Sequence, residues 1–204
     1  WLGCCTLRHL GCKPARPAGL EAIRVIDVYE RTVQPLPMND EYLALSYVWG
    51  KSEQPKVSEF GSLPGALPLT IEHAMIVVRS LGHRYLWVDS VCIDQSNAVD
   101  KHEQILLMGR IYRGAYSTII ALGGATANSG IHGVEQQPKR TPQIEAHFGE
   151  HRLVSKHPSL EEELKRSVWM TRAWTYQEGL MSSRCIVFTE HQVHFVCNGM
   201  QCSE

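Results

Sequence analysis

The chain has 204 residues, 44% of them hydrophobic and 20% charged, and its formal net charge is −1. This composition is typical of a globular protein, and it gives no electrostatic reason to expect binding to nucleic acid or to an anionic membrane. The apolar runs are shorter than the roughly 20 residues of a membrane-spanning helix, and no basic-then-apolar signal segment opens the chain.

Residues 1–22 are expected to form an N-terminal arm in front of a single main domain, residues 23–204. Because the chain starts at Trp1 without methionine, we expect it to be a piece of a longer protein. The arm carries residue types that zinc prefers, namely Cys4, Cys5, His9 and Cys12. Adjacent cysteines are nevertheless poorly spaced for a tetrahedral site, so we expect no metal there. The role of the arm stays open.

The chain has seven cysteines, an odd number in a chain long enough to fold without covalent cross-links. This favours reduced thiols in a cytoplasmic protein over a disulfide framework. We therefore predict that the native protein has no disulfide.

The hydrophobic pattern after the arm predicts alternating strands and helices. Strand segments are rich in β-branched and aromatic residues, and helix segments repeat apolar residues at helical spacing. The predicted elements in chain order are strands 24–29 and 42–49, a helix from about Thr70 to Leu81, strand 86–91, helix 99–115 and strand 117–122. This alternation predicts an α/β fold with a doubly wound, mostly parallel sheet flanked by helices.

The C-terminal part departs from this alternation. Residues 125–158 are rich in Gly, Pro, Gln and His, which predicts a long surface insertion with one or two short strands. Ser159 and Glu162 predict a capping box. The segment 167–181 predicts a helix interrupted near Thr171. The final predicted elements form a β-hairpin from residues 184–188 and 193–196.

The segment 84–95 is the one around which the domain is expected to be organised. Its apolar run continues on both faces, as in a strand covered by helices on two sides. Polar side chains follow where this strand should end, and ligands of open α/β sheets bind beyond the carboxyl ends of the strands. The candidate site residues there are Asp89, Cys92 and Asp94. The alternative, that the two aspartates only cap the turn and the next helix, stays open.

A second dense segment lies at residues 167–178. Trp174 and Glu178 are four residues apart, so they share one face of a predicted helix. An indole beside a carboxyl group excludes water and can raise its pKa, as catalysis often requires. Alternatively, Glu178 is a structural partner of Arg172 or Arg184, and the tryptophans lie in the core.

Three motifs together resemble the fungal heterokaryon incompatibility (HET) domain, and the resemblance extends from about residue 23 to residue 183. They are Tyr42–Gly50 (YLALSYVWG), Leu86–Gln95 (LWVDSVCIDQ) and Arg172–Glu178 (RAWTYQE). Their order and number make the resemblance specific. It implies a cytoplasmic fungal protein that triggers cell death on recognition of non-self, through self-association and an upstream sensor protein.

The HET family in turn resembles, more remotely, the TIR domain, which has a doubly wound α/β fold. Ser46 and Tyr47 resemble the Ser-Tyr pair that ends the first TIR strand. Trp174 and Glu178 resemble the Trp-x-x-x-Glu helix whose glutamate cleaves NAD. The resemblance therefore implies an NAD glycohydrolase with Glu178 as its catalytic residue. The insertion after Gly124 departs from a compact TIR domain.

The chemistry of NAD cleavage suits a single carboxylate. Nicotinamide leaves as a neutral molecule, so no general acid is needed, whereas an ordinary glycosidase needs two carboxyl groups. NAD is then the substrate, and no further cofactor is expected. The residues expected to line the nucleotide pocket are Ser46, Tyr47, Trp49, Gly50, Asp89, Cys92, Asp94, Arg172 and Trp174.

Several alternatives remain from the residues alone. Trp49 could belong to the core. The two aspartates could bind a divalent ion, although no phosphate-binding glycine loop supports this. Cys92 as a nucleophile lacks a neighbouring histidine. The domain could also be a non-catalytic signalling and oligomerisation module. A cleft that joins the Trp174–Glu178 face to the ends of strands 42–49 and 86–91 would favour the enzyme.

Overall fold

A computed structural model describes residues 1–14, 20, 23–51, 55, 57 and 61–204, without the side chains of residues 173, 174, 176 and 177. Its α-helices are α1 (Leu2–Arg8), α2 (Leu69–Ser80), α3 (Asp89–Cys92), α4 (Ala98–Gly114), α5 (Leu160–Arg166) and α6 (Ala173–Met181). Its strands are β1 (Arg24–Asp27), β2 (Thr32–Pro35), β3 (Tyr42–Ser46), β4 (Tyr85–Trp87), β5 (Ser117–Ala121), β6 (Glu145–Phe148), β7 (His151–Val154), β8 (Arg184–Phe188), β9 (Val193–Cys197) and β10 (Met200–Ser203). Two 3-10 helices cover Leu10–Cys12 and Trp169–Thr171. Among the described residues, no helix is long and apolar enough to cross a membrane.

In the described part of the chain, eight strands form one mixed sheet in the order β10-β9-β8-β5-β3-β4-β1-β2. The centre is parallel, because β3 pairs in parallel with both β4 and β5, and β5 with β8. The flanking pairs are antiparallel. Strand β1 pairs with β2 and with β4, and strand β9 pairs with β8 and with β10. The predicted α/β class is therefore confirmed, whereas the expected mostly parallel sheet is parallel only at its centre. Short turns join the antiparallel pairs β1–β2, β8–β9 and β9–β10, since a parallel connection would need a long crossover.

The strand predicted at residues 86–91 is interior and parallel to β3, but it is shorter than predicted. It ends at Trp87, and the chain turns at once into α3, with the Cys92 amide donating to the Val88 carbonyl at 2.7 Å. The prediction that this strand continues to residue 91 is wrong, because residues 89–92 bond locally. Asp89 therefore lies just beyond the carboxyl end of β4.

The central strands are buried along their whole length, and helices pack on them. Helix α4 agrees with the predicted 99–115 to within one residue and is capped by Asn97, whose side chain accepts from the amides of Val99 and Asp100. Helix α2 begins at Leu69, one residue earlier than predicted, and its N-cap residue is Pro68. The Thr70 hydroxyl accepts from the Gly130 amide, so it joins the helix to the insertion.

The chain from β5 to β8 follows the predicted order. The insertion contains an exposed hairpin, β6–β7, that forms its own two-stranded sheet. The capping box of Ser159 and Glu162 is confirmed at the start of α5. The break near Thr171 is confirmed by the 3-10 turn that precedes α6. The predicted hairpin is β8–β9, and β10 adds an unpredicted third strand to it.

The first part of the N-terminal arm, residues 1–14, packs against the sheet. Cys5 and Cys12 belong to the main hydrophobic core. The hydroxyls of Thr6 and Tyr116 lie 3.2 Å apart, and the ring of Trp1 lies 6.4 Å from that of Phe195. These contacts make the segment part of the folded domain.

Candidate active site at the carboxyl ends of the central strands

A cleft with a cavity of about 180 Å³ lies beyond the carboxyl ends of β3 and β4. The segments after these two strands form one side, and α4 and α6 form the other. Its lining residues are Tyr47, Trp49, Asp89, Ile93, Gln95, Lys101, Ile105, Met108, Arg172 and Glu178. All three motifs of the sequence therefore contribute side chains to one cavity.

Glu178 lies at the inner end of this cleft, with only 5% of its surface exposed. Its Oε2 accepts a hydrogen bond of 2.5 Å from the Ser46 hydroxyl, which in turn accepts one of 2.8 Å from the Trp169 indole N–H. Ser46 is the last residue of β3, and Trp169 lies in the 3-10 turn before α6. The sheet and the helical segment therefore fix the orientation of the carboxyl group jointly.

The electrostatic surroundings of Glu178 disfavour its charge. Burial raises the pKa of its carboxyl group, whereas the hydroxyls of Ser46 and Tyr112 and the charge of Arg172 lower it in part. The net direction is upward. A desolvated carboxylate that keeps one strong donor is suited to stabilising a positive charge nearby.

Asp89 is the second carboxyl group of the cleft. Its Oδ1 accepts from the Trp49 indole at 3.1 Å and from the Ser90 amide at 2.7 Å. Burial, followed by the negative charge of Glu178, raises the pKa of Asp89 to about 7. The two carboxyl groups therefore repel one another when both are ionised, and Asp89 exchanges its proton near neutral pH.

The rest of the cleft combines hydrogen-bonding groups with apolar surface. The Tyr47 hydroxyl lies 2.7 Å from the Ser90 hydroxyl, and Arg172 donates to the Tyr47 carbonyl at 3.4 Å. Gln95 donates to the Asp89 carbonyl at 3.2 Å. Helix α4 adds apolar side chains and the cation of Lys101. Pockets of this mixed character are typical of small-molecule sites.

The structure brings most of the predicted site residues together. Glu178, Tyr47, Trp49, Asp89 and Arg172 line the cleft, and Ser46 reaches it through its bond to Glu178. Trp49 is half-buried, and it packs against the core and also lines the cavity. The side chain of Trp174 lies outside the described part of the structure.

Three predicted site residues have other surroundings. Gly50, with φ +66°, packs against Thr126, where an added Cβ would lie 2.9 Å from a methyl carbon. Cys92 is buried against the backbone of β4, and burial raises its pKa to about 12, so it is a poor nucleophile. Asp94 accepts from the amide and hydroxyl of Ser96, as the capping alternative predicted. The expectation that these three line the pocket is not met.

Reasoning from the sequence missed two residues around Glu178, namely Trp169, which donates to Ser46, and Tyr112. Trp169 lies within the dense segment 167–178, so its position was a usable signal. Tyr112 gave no such signal, because it lies in the last turn of α4 and reaches Glu178 only through the packing of α4 on α6.

Comparisons with known proteins agree with the three motifs. A family model described as "Heterokaryon incompatibility protein (HET)" matches residues 42–178, from the first residue of β3 to Glu178. A similar protein is "Heterokaryon incompatibility protein 6, OR allele" of Neurospora crassa, at 29% identity over 50% of this chain. The match covers 17% of that protein, so the chain spans under a fifth of its length. No solved structure matches the chain.

Proposed function

The chain belongs to the heterokaryon incompatibility (HET) family, and from this membership we propose that it is a cell-death effector domain of non-self recognition that hydrolyses NAD. The bond broken is the N-glycosidic bond between nicotinamide and ribose. The products are nicotinamide, ADP-ribose and a proton. The catalytic residue is Glu178.

The observation that carries this proposal is the buried carboxyl group of Glu178 at the end of an open cleft. As the bond to nicotinamide breaks, positive charge develops on the ribose ring. A carboxylate with little water around it stabilises that charge strongly, because its orientation is already fixed by Ser46. Nicotinamide leaves as a neutral molecule, so its departure requires no proton from the protein.

Asp89 is the proposed general base in the second chemical step, the addition of water. Water adds to the ribose carbon and must lose a proton, and a carboxyl group with a pKa of about 7 is suited to accepting it. The reaction then needs both groups ionised. Activity should therefore rise as the pH increases through about 7.

The size and charge of the cleft suit one half of the dinucleotide. A cavity of about 180 Å³ is smaller than the roughly 300–1,000 Å³ of sites that enclose a drug-sized ligand. We place the nicotinamide riboside half inside, against Trp49 and the apolar face of α4. Lys101 and Arg172 supply the positive charge for the phosphates, and the adenosine half lies outside.

The sheet supports the TIR resemblance at the level of topology. Numbered along the chain, the four parallel strands β4-β3-β5-β8 have the order 2-1-3-4. This is the order of a flavodoxin-like doubly wound sheet, in which ligands bind beyond the carboxyl ends of the strands, at the switch point between the first and third strands. Those two strands are β3 and β5 here, and the cleft opens where β3 ends, on the side of β4.

The proposal is tested by incubating the purified domain with NAD and measuring nicotinamide release. Glu178→Gln keeps the acceptor for Ser46 but removes the negative charge. We expect release to fall about a hundred- to a thousandfold. The melting temperature should not fall, because the charge removed is a buried one that the fold disfavours.

The matched control is Glu103→Gln, which makes the same chemical change at an exposed position of α4. It should release nicotinamide at the parental rate. Equal turnover by the parent and Glu178→Gln would contradict the catalytic assignment. A lowered melting temperature for Glu178→Gln would instead favour a structural role for the carboxylate.

A second candidate function is a signalling module that triggers cell death by assembly with partners, and the β6–β7 hairpin favours it. The hairpin exposes large apolar side chains, with Phe148 78% and Leu153 59% exposed. A two-stranded hairpin is marginally stable alone in water, so a partner would stabilise it.

Sedimentation of the parent and of Phe148→Ser at several concentrations tests whether the hairpin mediates assembly. Concentration-dependent association that Phe148→Ser abolishes supports assembly, and a monomeric parent contradicts it.

A further inference from the structure

A cluster of three thiols and one imidazole lies away from the cleft. The ligand atoms of Cys5, His9, Cys12 and Cys197 all lie within 4.8 Å of one another. Cys5 and Cys12 are buried at 0% and 1% exposure, and the Cys197 sulfur lies 3.3 Å from Nδ1 of His9. We propose that this cluster is a structural zinc site that fastens the N-terminal segment to strand β9.

The local structure explains which of the N-terminal cysteines take part. Cys5 lies on α1, and His9, at its C-terminal end, is four residues further on the same face. The following 3-10 turn brings Cys12 to the same side. Cys4 points away and is exposed. The adjacent pair Cys4–Cys5, which argued against a metal in the sequence, therefore supplies only one ligand.

The fourth ligand comes from the far end of the chain. Cys197 is the last residue of β9 and is followed by a tight turn into β10. Gly199 in this turn has no side chain where the His9 ring packs, since an added Cβ would lie 3.0 Å from that ring.

The geometry and ligand types suit zinc. Zinc binds sulfur at about 2.3 Å and nitrogen at about 2.0 Å in a tetrahedron, which places neighbouring ligand atoms about 3.8 Å apart or less. Ligand atoms separated by at most 4.8 Å reach that arrangement with movements of about 1 Å. Three cysteines and one histidine, with no position left open, form a closed structural set.

A buried arginine gives an independent reason to expect an anion at this place. Arg184 is 1% exposed, and its Nε and Nη2 have no hydrogen-bond partner among the described residues. Its charge acts on Cys5, and Cys197 is its partner in the β8–β9 register. Zinc with three thiolates and a neutral imidazole carries a net charge of −1. The occupied site would therefore balance the buried guanidinium, which neutral thiols would not.

The cluster lies near the amino ends of the parallel strands, whereas Glu178 lies near their carboxyl ends. Cys197 pairs with Arg184, the first residue of β8, whereas Ser46 is at the carboxyl end of β3, which runs in the same direction as β8. Zinc here would thus connect α1 and the 3-10 turn to the C-terminal strands without taking part in the proposed hydrolysis of NAD. Its loss should weaken the fold and leave the cleft residues in place.

The experiment is a metal analysis of the full 204-residue chain, purified without chelator from zinc-supplemented medium. We expect one zinc ion per chain. After exchange, Co²⁺ should give the intense visible absorption of a tetrahedral site and the near-ultraviolet bands of thiolate ligation. Cys12→Ser and Cys197→Ser should each reduce the zinc content to near zero.

Cys4→Ser and Cys202→Ser are matched controls, because each makes the same change at a free cysteine that is not part of the cluster. Both should keep one zinc ion per chain. A parent protein without stoichiometric zinc that also fails to bind Co²⁺ would overturn the proposal, even where the cysteine variants fail to fold. Fewer than seven free thiols in the denatured, unreduced, metal-stripped parent would also overturn it, in favour of a disulfide.

Discussion

At the scale of single residues, the candidate site concentrates groups that folding disfavours. Glu178 and Asp89 are two carboxyl groups in one cleft, and burial raises the pKa of both. Hydrogen bonds from Ser46 and Trp49 offset part of this cost. Structural carboxylates usually have lowered pKa values, as Asp27 does beside Arg84. Raised pKa values of buried carboxyl groups are typical of functional sites, and here they distinguish the cleft from the ion pair of Asp27 and Arg84.

Asp89→Asn should stabilise the protein at alkaline pH. The pKa of Asp89 is about 7 in the folded state and 3.8 in the unfolded state. The folded protein therefore holds this proton more tightly, and protonation of Asp89 stabilises the fold. That stabilisation is lost as the pH rises from about 4 through 7. Each tenfold change in proton affinity is worth about 1.4 kcal/mol, so ionisation costs the fold up to about 4 kcal/mol. Asparagine keeps the acceptor for Trp49 and avoids this cost. Urea unfolding at pH 8 should show the gain, which should vanish near pH 4.

Asp94→Asn serves as the control for this prediction. The pKa of Asp94 is lowered by the hydroxyl and amide of Ser96, so its ionised form favours folding and the stabilisation is lost as the pH falls. Its replacement should leave stability at pH 8 unchanged or slightly reduced. A gain of equal size for both variants would mean that the buried cleft has no special electrostatic cost.

At the scale of elements, the parts that could be predicted are those whose hydrophobic pattern extends over several residues. Strand β5 and helix α4 were predicted nearly to their ends for this reason, whereas β3 starts as predicted and ends at Ser46, three residues before the predicted end. The edge strands β2 and β10 were missed because they are short and only half-buried. Helix α3 was missed because its single turn is set by bonds between residues 88 and 92, which the apolar run of β4 conceals.

Helix α4 connects stability to the cleft, and Asn97→Ala tests that connection. The Asn97 side chain accepts from two amides of the first turn, so its loss should cost about 1 kcal/mol. Helix α4 presents Lys101, Ile105 and Met108 to the cavity. Fraying of its first turn should therefore also raise KM for NAD. Denaturant unfolding and initial rates of nicotinamide release measure the two effects.

Ser159→Ala is the matched change in α5, where the capping box is complete but no residue reaches the cleft. It should cost a similar free energy of unfolding and leave KM unchanged. If both variants alter KM equally, the kinetic effect reflects general destabilisation and not the position of α4.

At the scale of the whole molecule, both candidate sites join residues that are far apart in sequence. Ser46 and Glu178 are separated by 132 positions, and His9 and Cys197 by 188. The motifs predicted which residues matter for the first site, because three dense segments carried them. Nothing local indicated that Cys197 meets the N-terminal cysteines. That contact depends on the order of strands in the sheet, which places β9 beside β8.

This organisation predicts that the N-terminal segment is integral to the fold and that the hairpin β6–β7 is not. Removal of residues 1–14 would uncover core positions now filled by Cys5 and Cys12, together with the contact between Trp1 and Phe195. We expect a loss of more than about 3 kcal/mol.

The matched deletion replaces residues 145–154, all of them exposed, with two glycines between Ile144 and Ser155. The Ser155 amide already donates to the Ile144 carbonyl at 2.8 Å, so two glycines can close the gap. This deletion should change stability by less than about 1 kcal/mol. Urea unfolding of both variants and the parent, with a chelator present so that metal does not contribute, measures the difference in packing alone. Equal losses, or a larger loss for the hairpin deletion, would mean that residues 1–14 are an independent arm.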